Sequence, residues 1–468
     1  MHVLLLRPVP KNDRFGLGPF FRIEPLGLEY IAAALAARGH NTTVVDLRFG
    51  RPVEHYVRQA RPGVIGIACM HALETDDALA LAQRVRRISP ESFVMIGGHS
   101  AAAYPAPFLA PAIDALVTGD GELVVPSLIE ALEGRKPVAE VPGLLLRQPD
   151  GEFHPTMPAG APFALDDVPL PSRHHVDAWR SEYACLLFRP VWLIETARGC
   201  PFRCSFCSVW PMYDRDVRLR SIDSVCQDFA TAGPHVFVAD DLFWYQPVRS
   251  LELAAALKRR GIRKRWLLVQ SRTDLVARHP DLLEAWRPLA EDFDIFFGLE
   301  AATDQGLERL SKDTTINRTI EGVQVARGHG FGVTGNFVID PDWDESDFER
   351  LWAFVEQHAL SNAGFTVLTP LPGTAYFDQM RPRIRAASWS QYDMHHLLWE
   401  PRVGAERFFE LYCETWRRSV LNLKGRKSWR QWARQVRPRD LPLLTRMLVR
   451  TQRMMRPAEY LAEHRLVT

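Results

Sequence analysis

The sequence predicts an α/β protein made of two successive sheets and a helical extension. Three observations lead to this fold class. Short apolar runs alternate with helical patterns over residues 1 to about 135, the alternation resumes at Val191, and the chain turns helical, aromatic and basic after Tyr376. Such repetition indicates parallel strands joined by crossover helices. We therefore expect a doubly wound, Rossmann-like N-terminal domain, a second parallel α/β domain and a helical C-terminal region.

Composition places the chain among globular proteins of more than one domain. Its 468 residues are 47% hydrophobic and 24% charged, and the formal net charge of +1 gives no sign of a nucleic-acid partner. No apolar run is long enough to span a bilayer, and the start of the chain reads as a strand rather than as a signal peptide. We therefore expect a cytoplasmic protein, whose reducing surroundings keep thiols free.

The N-terminal domain, residues 1–140, is expected to bind a large ligand at one edge of its sheet. Strands are predicted at 3–6, 43–46, 64–70, 93–96 and 112–117, and helices at 26–37, 53–60, 76–88 and 122–132. Ligands of such sheets lie at the carboxyl ends of the strands, where glycines let the backbone approach closely. The candidate contacts are Leu26, Gly27, Asp46, His71, Gly97, Gly98, Thr118, Gly119, Asp120, Gly121 and Glu122.

Residues 141–190 are predicted to form a linker. The segment is rich in proline, and residues 144–153 have a hairpin pattern around the turn at Pro149, Asp150 and Gly151. Two adjacent histidines in this segment lack a third partner, which favours a solvated loop over a metal site. We expect a linker that carries a small β-ribbon.

Three of the seven cysteines, Cys200, Cys204 and Cys207, fall within eight residues after the strand-like run 191–194. The spacing C-x3-C-x2-C lets three thiolates converge on one metal centre without completing a tetrahedral shell. A structural zinc site would need a fourth ligand at a short, regular offset, and cysteines this close rarely pair as disulfides. Three ligands therefore suggest an iron–sulfur cluster with one iron open to chemistry; structural zinc and disulfides are the alternatives.

This spacing, with the aromatic Phe206 before the last cysteine, is the signature of the radical S-adenosylmethionine enzymes. Residues 197–201, Ala-Arg-Gly-Cys-Pro, resemble the branch of that superfamily that carries an N-terminal cobalamin domain. The resemblance implies a [4Fe-4S] cluster on Cys200, Cys204 and Cys207, with S-adenosylmethionine chelating the fourth iron. It also implies that one electron from the cluster breaks a carbon–sulfur bond and gives a 5′-deoxyadenosyl radical.

Three N-terminal stretches resemble the cobalamin-binding domain that precedes many such modules: residues 25–30, the turn at 97–99 and residues 117–122. A dinucleotide site is disfavoured because no G-x-G-x-x-G follows the first strand. The chain departs from the D-x-H-x-x-G motif of methionine-synthase-type domains, since Arg48 follows Asp46 at the place of the histidine. His71 is a candidate for the lower face of the cobalt; a loop histidine bonded to the backbone is the alternative.

The region 191–376 fits the partial (β/α)6 barrel of the resembled superfamily, whose reaction lies at the carboxyl ends of the strands. Six strand-like runs occur, at 191–196, 235–239, 266–270, 295–299, 334–339 and 364–368. The candidate contacts for S-adenosylmethionine are Phe206, Asp240, Asp241, Arg272, Glu300 and Asn336. Asp240 or Asp241 would accept from its ammonium group. Arg272 would bind its carboxylate, and Glu300 would accept from ribose or ammonium, with helix capping the alternative for Asp241 and Glu300.

The strand ends of this region, above all the Pro-Asp-Trp-Asp segment at 341–344, look like those of the hopanoid C-3 methylases and their relatives. The resemblance implies methyl transfer from methylcobalamin to an unactivated carbon of a hopanoid-like, apolar small molecule. It also implies an electron donor, namely a reductase, a flavodoxin or a ferredoxin. The alternatives are an oxidoreductase or cyclase similar to the anaerobic magnesium-protoporphyrin ester cyclase, and a non-catalytic cobalamin or cluster sensor.

The C-terminal region, residues 377–468, is predicted to be helical. Between Arg417 and Arg465 basic residues far outnumber acidic ones, and tryptophans and methionines are interleaved with them. Such a surface suits a peripheral contact with the inner face of an anionic membrane, from which a lipid substrate is collected. The alternative is a covering helical lid whose arginines are solvated.

Overall fold

The computed structural model describes residues 1–10, 18–158, 163–360, 363–421, 440–464 and 466. Its strands are β1 (His2–Arg7), β2 (Phe21–Arg22), β3 (Asn41–Asp46), β4 (Val64–Ala68), β5 (Phe93–Gly97), β6 (Ala115–Val117), β7 (Leu144–Arg147), β8 (Phe153–Pro155), β9 (Ala184–Cys185), β10 (Trp192–Ile194), β11 (Ala197–Arg198), β12 (Arg218–Leu219), β13 (His235–Val238), β14 (Lys264–Ser271), β15 (Ala290–Glu300), β16 (Gly332–Ile339) and β17 (Ala363–Val367).

Its α-helices are α1 (Leu26–Ala37), α2 (Val53–Ala60), α3 (Thr75–Ile88), α4 (His99–Ala103), α5 (Gly121–Leu132), α6 (Val209–Met212), α7 (Ile222–Thr231), α8 (Pro247–Arg259), α9 (Thr273–Arg278), α10 (Pro280–Trp286), α11 (Asp304–Arg309), α12 (Ile316–Gly328), α13 (Glu345–Gln357), α14 (Ala375–Met380), α15 (Ala405–Leu421), α16 (Leu441–Met454) and α17 (Pro457–Leu461). The chain divides into two compact units, one built on Glu24–Glu182 and the other on Tyr183–Ala387.

The first unit is a doubly wound α/β domain, as predicted. Its described strands form one sheet in the order β3-β1-β4-β5-β6-β7-β8. The pairs from β3 through β6 are parallel, so their carboxyl ends share one edge of the sheet. Strand β1 lies inside the sheet, and its central residues, Val3 to Leu6, are at most 1% exposed. Such a buried parallel strand needs the continuous apolar run that the sequence has there.

The proline-rich segment differs from the linker that was expected. The hairpin of β7 and β8 forms as predicted, but β7 pairs antiparallel with β6 and extends the first sheet. Leu144, at the start of β7, is 2% exposed, which explains why this ribbon joins the sheet instead of lying in solvent. The first compact unit therefore runs to Glu182, well past the predicted boundary at residue 140.

The second unit contains the predicted partial barrel. Its described parallel strands are arranged in the order β10-β13-β14-β15-β16-β17, which is their order along the chain. Helices separate successive strands, and their apolar faces bury a core that includes Trp244, Trp286 and Phe293. Because all six strands run the same way, their carboxyl ends form one rim.

The described part of the C-terminal region is helical, as predicted. Trp416 of α15 packs edge-on against Phe365 of β17 with ring centroids 5.3 Å apart, and Met454 of α16 is 6% exposed. These two side chains therefore cover the barrel, as in the lid alternative. The predicted basic and aromatic residues between 422 and 439 lie outside the described residues.

No helix among the residues described here has the length and apolar character needed to cross a membrane.

Candidate active site

The three clustered cysteines lie on a loop between β11 and α6, at the carboxyl end of β10. Gly199 begins this loop with φ of +99°, and a Cβ there would overlap the carbonyl oxygen of Asp216. Farther along, the carbonyl oxygen of Cys204 accepts the amide of Cys207 at 3.1 Å and the indole Nε1–H of Trp210 at 3.0 Å. Backbone and indole hydrogen bonds within the loop therefore define its conformation.

All three thiols are free, and Cys204 is buried while Cys200 and Cys207 are half-buried. Burial raises the pKa of each thiol, that of Cys207 to about 11, and the neighbouring Cys204 raises the pKa of both Cys200 and Cys207 further. Opposing this, the amide of Phe202 donates to Cys200 and that of Val209 to Cys207. Three soft sulfur ligands, two of which accept backbone N–H donors, fit an iron–sulfur cluster, whose binding would release the thiol protons.

Asp240 and Asp241, which follow β13, both act on the backbone near the cysteines. Asp240 is 1% exposed and accepts from the Thr196 amide at 2.6 Å, the Thr196 hydroxyl at 2.5 Å and the Ala197 amide at 3.1 Å. Burial raises its pKa to about 7. Asp241 accepts from the Gly199 amide at 2.9 Å. Hydrogen bonds from the protein therefore occupy the Asp240 carboxylate. Asp241, in contrast, is an exposed residue at the rim.

Arg272, which follows β14, is 6% exposed, and its guanidinium group donates hydrogen bonds to other protein groups. Nε donates to Asp274 at 2.8 Å, and Nη2 donates to the carbonyl oxygens of Lys312 at 2.7 Å and Asp313 at 3.1 Å. The guanidinium also lies 3.7 Å from the ring centroid of Phe202 on the cysteine loop. Arg272 therefore fastens the loop at 312–313 to the cysteine loop.

Glu300 ends β15 with φ of +63° and is 7% exposed. Its Oε1 accepts from Nζ of Lys312 at 2.8 Å. Glu300 therefore forms an ion pair with a buried ammonium group instead of capping a helix. Lys312, which carries that group, was not among the predicted site residues. A single lysine in a polar loop carries no periodic signal by which it would be noticed.

The remaining candidates, Asn336 and Phe206, contact residues on or next to β16 and β17. Asn336 lies within β16 rather than at its end, and its amide donates to the Thr366 hydroxyl at 2.7 Å. Phe206 packs with Tyr376 against an apolar group formed by Leu310, Val338 and Leu368. This apolar wall beside the cysteines suits the flat face of an adenine or an apolar substrate.

In the first unit, the predicted ligand residues gather at the carboxyl edge of the sheet. Gly98 follows β5 with φ of +110°, and a Cβ there would lie 2.6 Å from the Cys69 carbonyl oxygen. His71 follows β4 with its side chain exposed, and its amide donates to Glu74. His99, which sequence analysis did not select, is half-buried, and burial together with the charge of His71 lowers its pKa to about 4. Both histidines therefore lie at this edge.

Several other ligand candidates are partly engaged with the protein. Asp46 is buried, and Arg48 donates to it through Nε at 2.9 Å and Nη2 at 2.6 Å, so arginine forms an ion pair at this position. The amides of Thr118 and Gly119 donate to the Gly143 carbonyl oxygen at 2.9 and 3.3 Å, which attaches this turn to the hairpin. Their backbone donors are therefore used within the sheet.

Helices α1 and α5 meet the same edge. A Cβ on Gly121 would lie 2.8 Å from Cδ1 of Ile31, so glycine allows close packing of α5 on α1. Gly27 differs, because a Cβ there would have no heavy atom of the described protein within 4 Å. Leu26 and Glu122 are mostly buried, at 9% and 7% exposure. Gly27 thus borders open space that a ligand can fill, whereas Gly121 serves packing.

Comparison with protein families assigns both units. Residues 20–129 match the B12 binding domain, and residues 194–355 match the radical SAM superfamily. The predicted pairing of cobalamin and S-adenosylmethionine domains is therefore confirmed. The matched ranges contain the sheet edge of the first unit and all three clustered cysteines.

Curated relatives extend over most of the chain. The hopanoid C-3 methylase of Methylococcus capsulatus is 31% identical over 399 residues, covering 83% of this chain and 75% of its own length. An anaerobic magnesium-protoporphyrin IX monomethyl ester cyclase of Rubrivivax gelatinosus is 25% identical and covers 79% of this chain and 68% of its own. Both predicted function classes thus occur among the relatives.

Solved structures share the fold. The cobalamin-dependent S-adenosylmethionine radical enzyme OxsB, with aqua-cobalamin and S-adenosylmethionine bound, matches with a TM-score of 0.72 at 16% identity, covering 97% of this chain and 71% of that one. The radical S-adenosylmethionine methyltransferase TsrM from Kitasatospora setae matches with a TM-score of 0.63 at 18% identity, covering 84% and 80%. Together with the identity to the methylase, these findings show that the chain belongs to the cobalamin-dependent radical S-adenosylmethionine enzymes.

Proposed function

We propose that this enzyme transfers a methyl group to an unactivated carbon of a hopanoid-like polycyclic isoprenoid. The observation that carries the proposal is the presence, in one chain, of a B12 binding domain and a three-cysteine loop in a radical SAM domain, in a sequence 31% identical to a hopanoid C-3 methylase. When bound, the cluster with S-adenosylmethionine supplies a carbon-centred oxidising radical and cobalamin supplies the methyl group.

The protein's own residues hold and shield these groups. Cys200, Cys204 and Cys207 would ligate three irons of the cluster, and the amides aimed at two of the sulfurs favour their thiolate forms. Asp240 and Asp241 fix the backbone on which the loop rests. Asp241, an exposed residue at the rim whose carboxylate accepts from the Gly199 amide, is the better placed of the two to accept from the ammonium group of S-adenosylmethionine.

The apolar wall at Phe206, Leu310, Val338, Leu368 and Tyr376 would exclude water from the reacting groups. Exclusion of water protects a carbon radical from side reactions and matches a substrate without charge. In the first unit, Gly27, Gly97 and Gly98 would let cobalamin approach the backbone at the carboxyl edge of the sheet. A flavodoxin, a ferredoxin or another reductase would supply the electrons.

We place the peripheral membrane contact on α16. Leu441, Leu448 and Val449 are 58%, 68% and 48% exposed, and Arg446 and Arg453 on the same helix are exposed as well. Exposed apolar side chains bordered by arginines suit the surface of an anionic bilayer. Such a contact would bring the enzyme to a substrate that dissolves in lipid.

The test uses full-length protein loaded anaerobically with iron, sulfide and cobalamin, then given reductant, methyl-labelled S-adenosylmethionine and a bacterial lipid extract in anionic vesicles. We expect label in an isoprenoid fraction, and protein that sediments with anionic but not with neutral vesicles. Formation of 5′-deoxyadenosine without labelled lipid, when a magnesium-protoporphyrin ester is consumed in a parallel reaction, would instead establish the cyclase class.

The cyclase remains the second candidate because curated cyclases cover most of this chain at 25% identity. A sensor is disfavoured, because the relatives that cover most of this chain are named as methylases and cyclases.

A further inference from the structure

A buried ion pair lies beside the cysteine loop and has no role in the proposed reaction so far. Nζ of Lys312 donates to Oε1 of Glu300 at 2.8 Å, and the two residues are 8% and 7% exposed. Taking such a pair out of water costs several kcal/mol per ion before the mutual attraction offsets it. An apolar pair would fill the space without that cost, so the charges themselves need an explanation.

The local backbone is built around this pair. Glu300 adopts a left-handed conformation, with φ of +63°, which is strained for a residue other than glycine. The register between β15 and β16 shifts between Gly298 and Glu300. A Cβ on Gly298 would overlap the Glu300 carboxylate and lie 2.7 Å from Nζ of Lys312. The glycine, the strained residue and the ion pair therefore form one arrangement.

The loop that carries Lys312 is attached to the cysteine loop on two sides. The amide of Ser205, next to Cys204, donates to the carbonyl oxygen of Leu310 at 3.1 Å. Arg272 binds the carbonyl oxygens of Lys312 and Asp313 and stacks on Phe202. The ammonium group is thereby held at a fixed place relative to the cysteines.

Four charged groups act on Cys204. Lys312 and Arg272 bring positive charge to its sulfur, and Glu300 and Asp313 bring negative charge, with the largest of these effects from Lys312. The ammonium therefore outweighs its own carboxylate partner at the sulfur. The Glu300 carboxylate, whose Oε1 lies 2.8 Å from Nζ, stabilises the charged ammonium in its buried position.

We propose that Lys312 is a positioning residue that holds a fixed positive charge next to Cys204 and thereby raises the reduction potential of the cluster. Reduction by a low-potential one-electron donor adds one negative charge to the cluster and makes or breaks no bond. A neighbouring cation stabilises the reduced form, and it does so strongly where water is excluded. The inference rests on the cluster of the proposed function and not on methyl transfer.

The test measures the midpoint potential of the reconstituted full-length protein by anaerobic redox titration, with electron paramagnetic resonance reporting the reduced cluster. The main variant is the double substitution Lys312→Met/Glu300→Gln, which leaves no unpaired charge behind. Lys312→Arg keeps the charge, and Glu300→Gln alone removes only the carboxylate. Lys264→Met is the matched control, because Lys264 is also a buried lysine and donates to the carbonyl oxygens of Phe229 and Ala232. It is the first residue of β14 and therefore lies at the end of that strand that faces away from the cysteine loop.

We expect a more negative midpoint potential in the double variant and a more positive one in Glu300→Gln, with Lys312→Arg and Lys264→Met at the wild-type value. A double variant with the wild-type potential, or Lys312→Arg shifted as far as the double variant, would overturn the inference. If the double variant takes up no cluster, the sign of the Glu300→Gln shift decides. Failure of the wild type itself to bind a cluster would overturn both this inference and the proposed function, whereas unchanged potentials overturn only this inference.

Discussion

Several side chains expected to contact S-adenosylmethionine bind the protein itself. Asp240 accepts from Thr196 and Ala197, and Arg272 fastens two loops together. Sequence position placed these residues correctly at the strand ends, because parallel strands bring their carboxyl ends to one rim. The sequence could not predict their hydrogen-bond partners, because hydrogen bonds between loops that are distant in the chain leave no periodic pattern. Lys312 was missed for the same reason.

Asp240 makes the stability of the protein depend on pH. Its pKa is about 7 in the folded chain because of burial, against 3.8 in the unfolded chain. Between these values the folded protein keeps a proton that the unfolded chain has released, so stability falls as pH rises from about 4 to about 7 and is then constant. The full effect is roughly 4 kcal/mol. We expect Asp240→Asn to flatten the profile of Tm against pH in this range.

The measurement is thermal unfolding of the protein before iron is loaded, at several pH values. Asp223→Asn serves as control, because the Asp223 side chain is 87% exposed; its profile should run parallel to that of the wild type. An Asp240→Asn profile that also runs parallel to the wild type would show that this carboxyl does not titrate in the folded protein as described.

At the scale of elements, the hairpin of β7 and β8 changes the division of the chain. Its turn residues predicted the ribbon correctly, but its docking on β6 depends on a sheet edge formed by residues about 30 positions earlier. The proline-rich composition of residues 141–190 therefore indicated a linker, whereas in the structure part of this segment forms a hairpin at the edge of the first sheet. The parallel direction of the main strands in both units was predictable, because strands joined by crossover helices run the same way.

Two glycines at the sheet edge of the first unit provide a matched pair of substitutions. Gly98→Ala forces a Cβ to within 2.6 Å of the Cys69 carbonyl oxygen at a φ of +110°, so we expect a loss of about 2 kcal/mol or more and a lower Tm. Gly27→Ala meets no described heavy atom within 4 Å and lies in α1, where alanine is favoured. We expect its Tm to equal or exceed that of the wild type while cobalamin occupancy falls.

Differential scanning fluorimetry gives the Tm of both variants, and absorbance after gel filtration gives the bound cobalamin. If Gly27→Ala retains as much cobalamin as the wild type, the start of α1 does not contact the cofactor, and the ligand must lie farther along the edge.

At the scale of the whole molecule, two domains that each match a cofactor-binding family occur in one chain. The cysteine spacing and the glycine-rich strand ends were sufficient to predict both. The substrate is less accessible to sequence reasoning, because an apolar wall such as that at Phe206 and Tyr376 encodes shape through contacts among residues far apart in the chain. We propose that both units serve a single methyl transfer.

The most direct test loads the enzyme with a constant amount of cluster and increasing amounts of cobalamin, then measures labelled product, 5′-deoxyadenosine and S-adenosylhomocysteine in each sample. We predict that labelled product rises in proportion to bound cobalamin and that the two nucleoside products form in equal amounts. Substrate conversion that is independent of cobalamin, with 5′-deoxyadenosine formed in the absence of S-adenosylhomocysteine, would contradict this prediction.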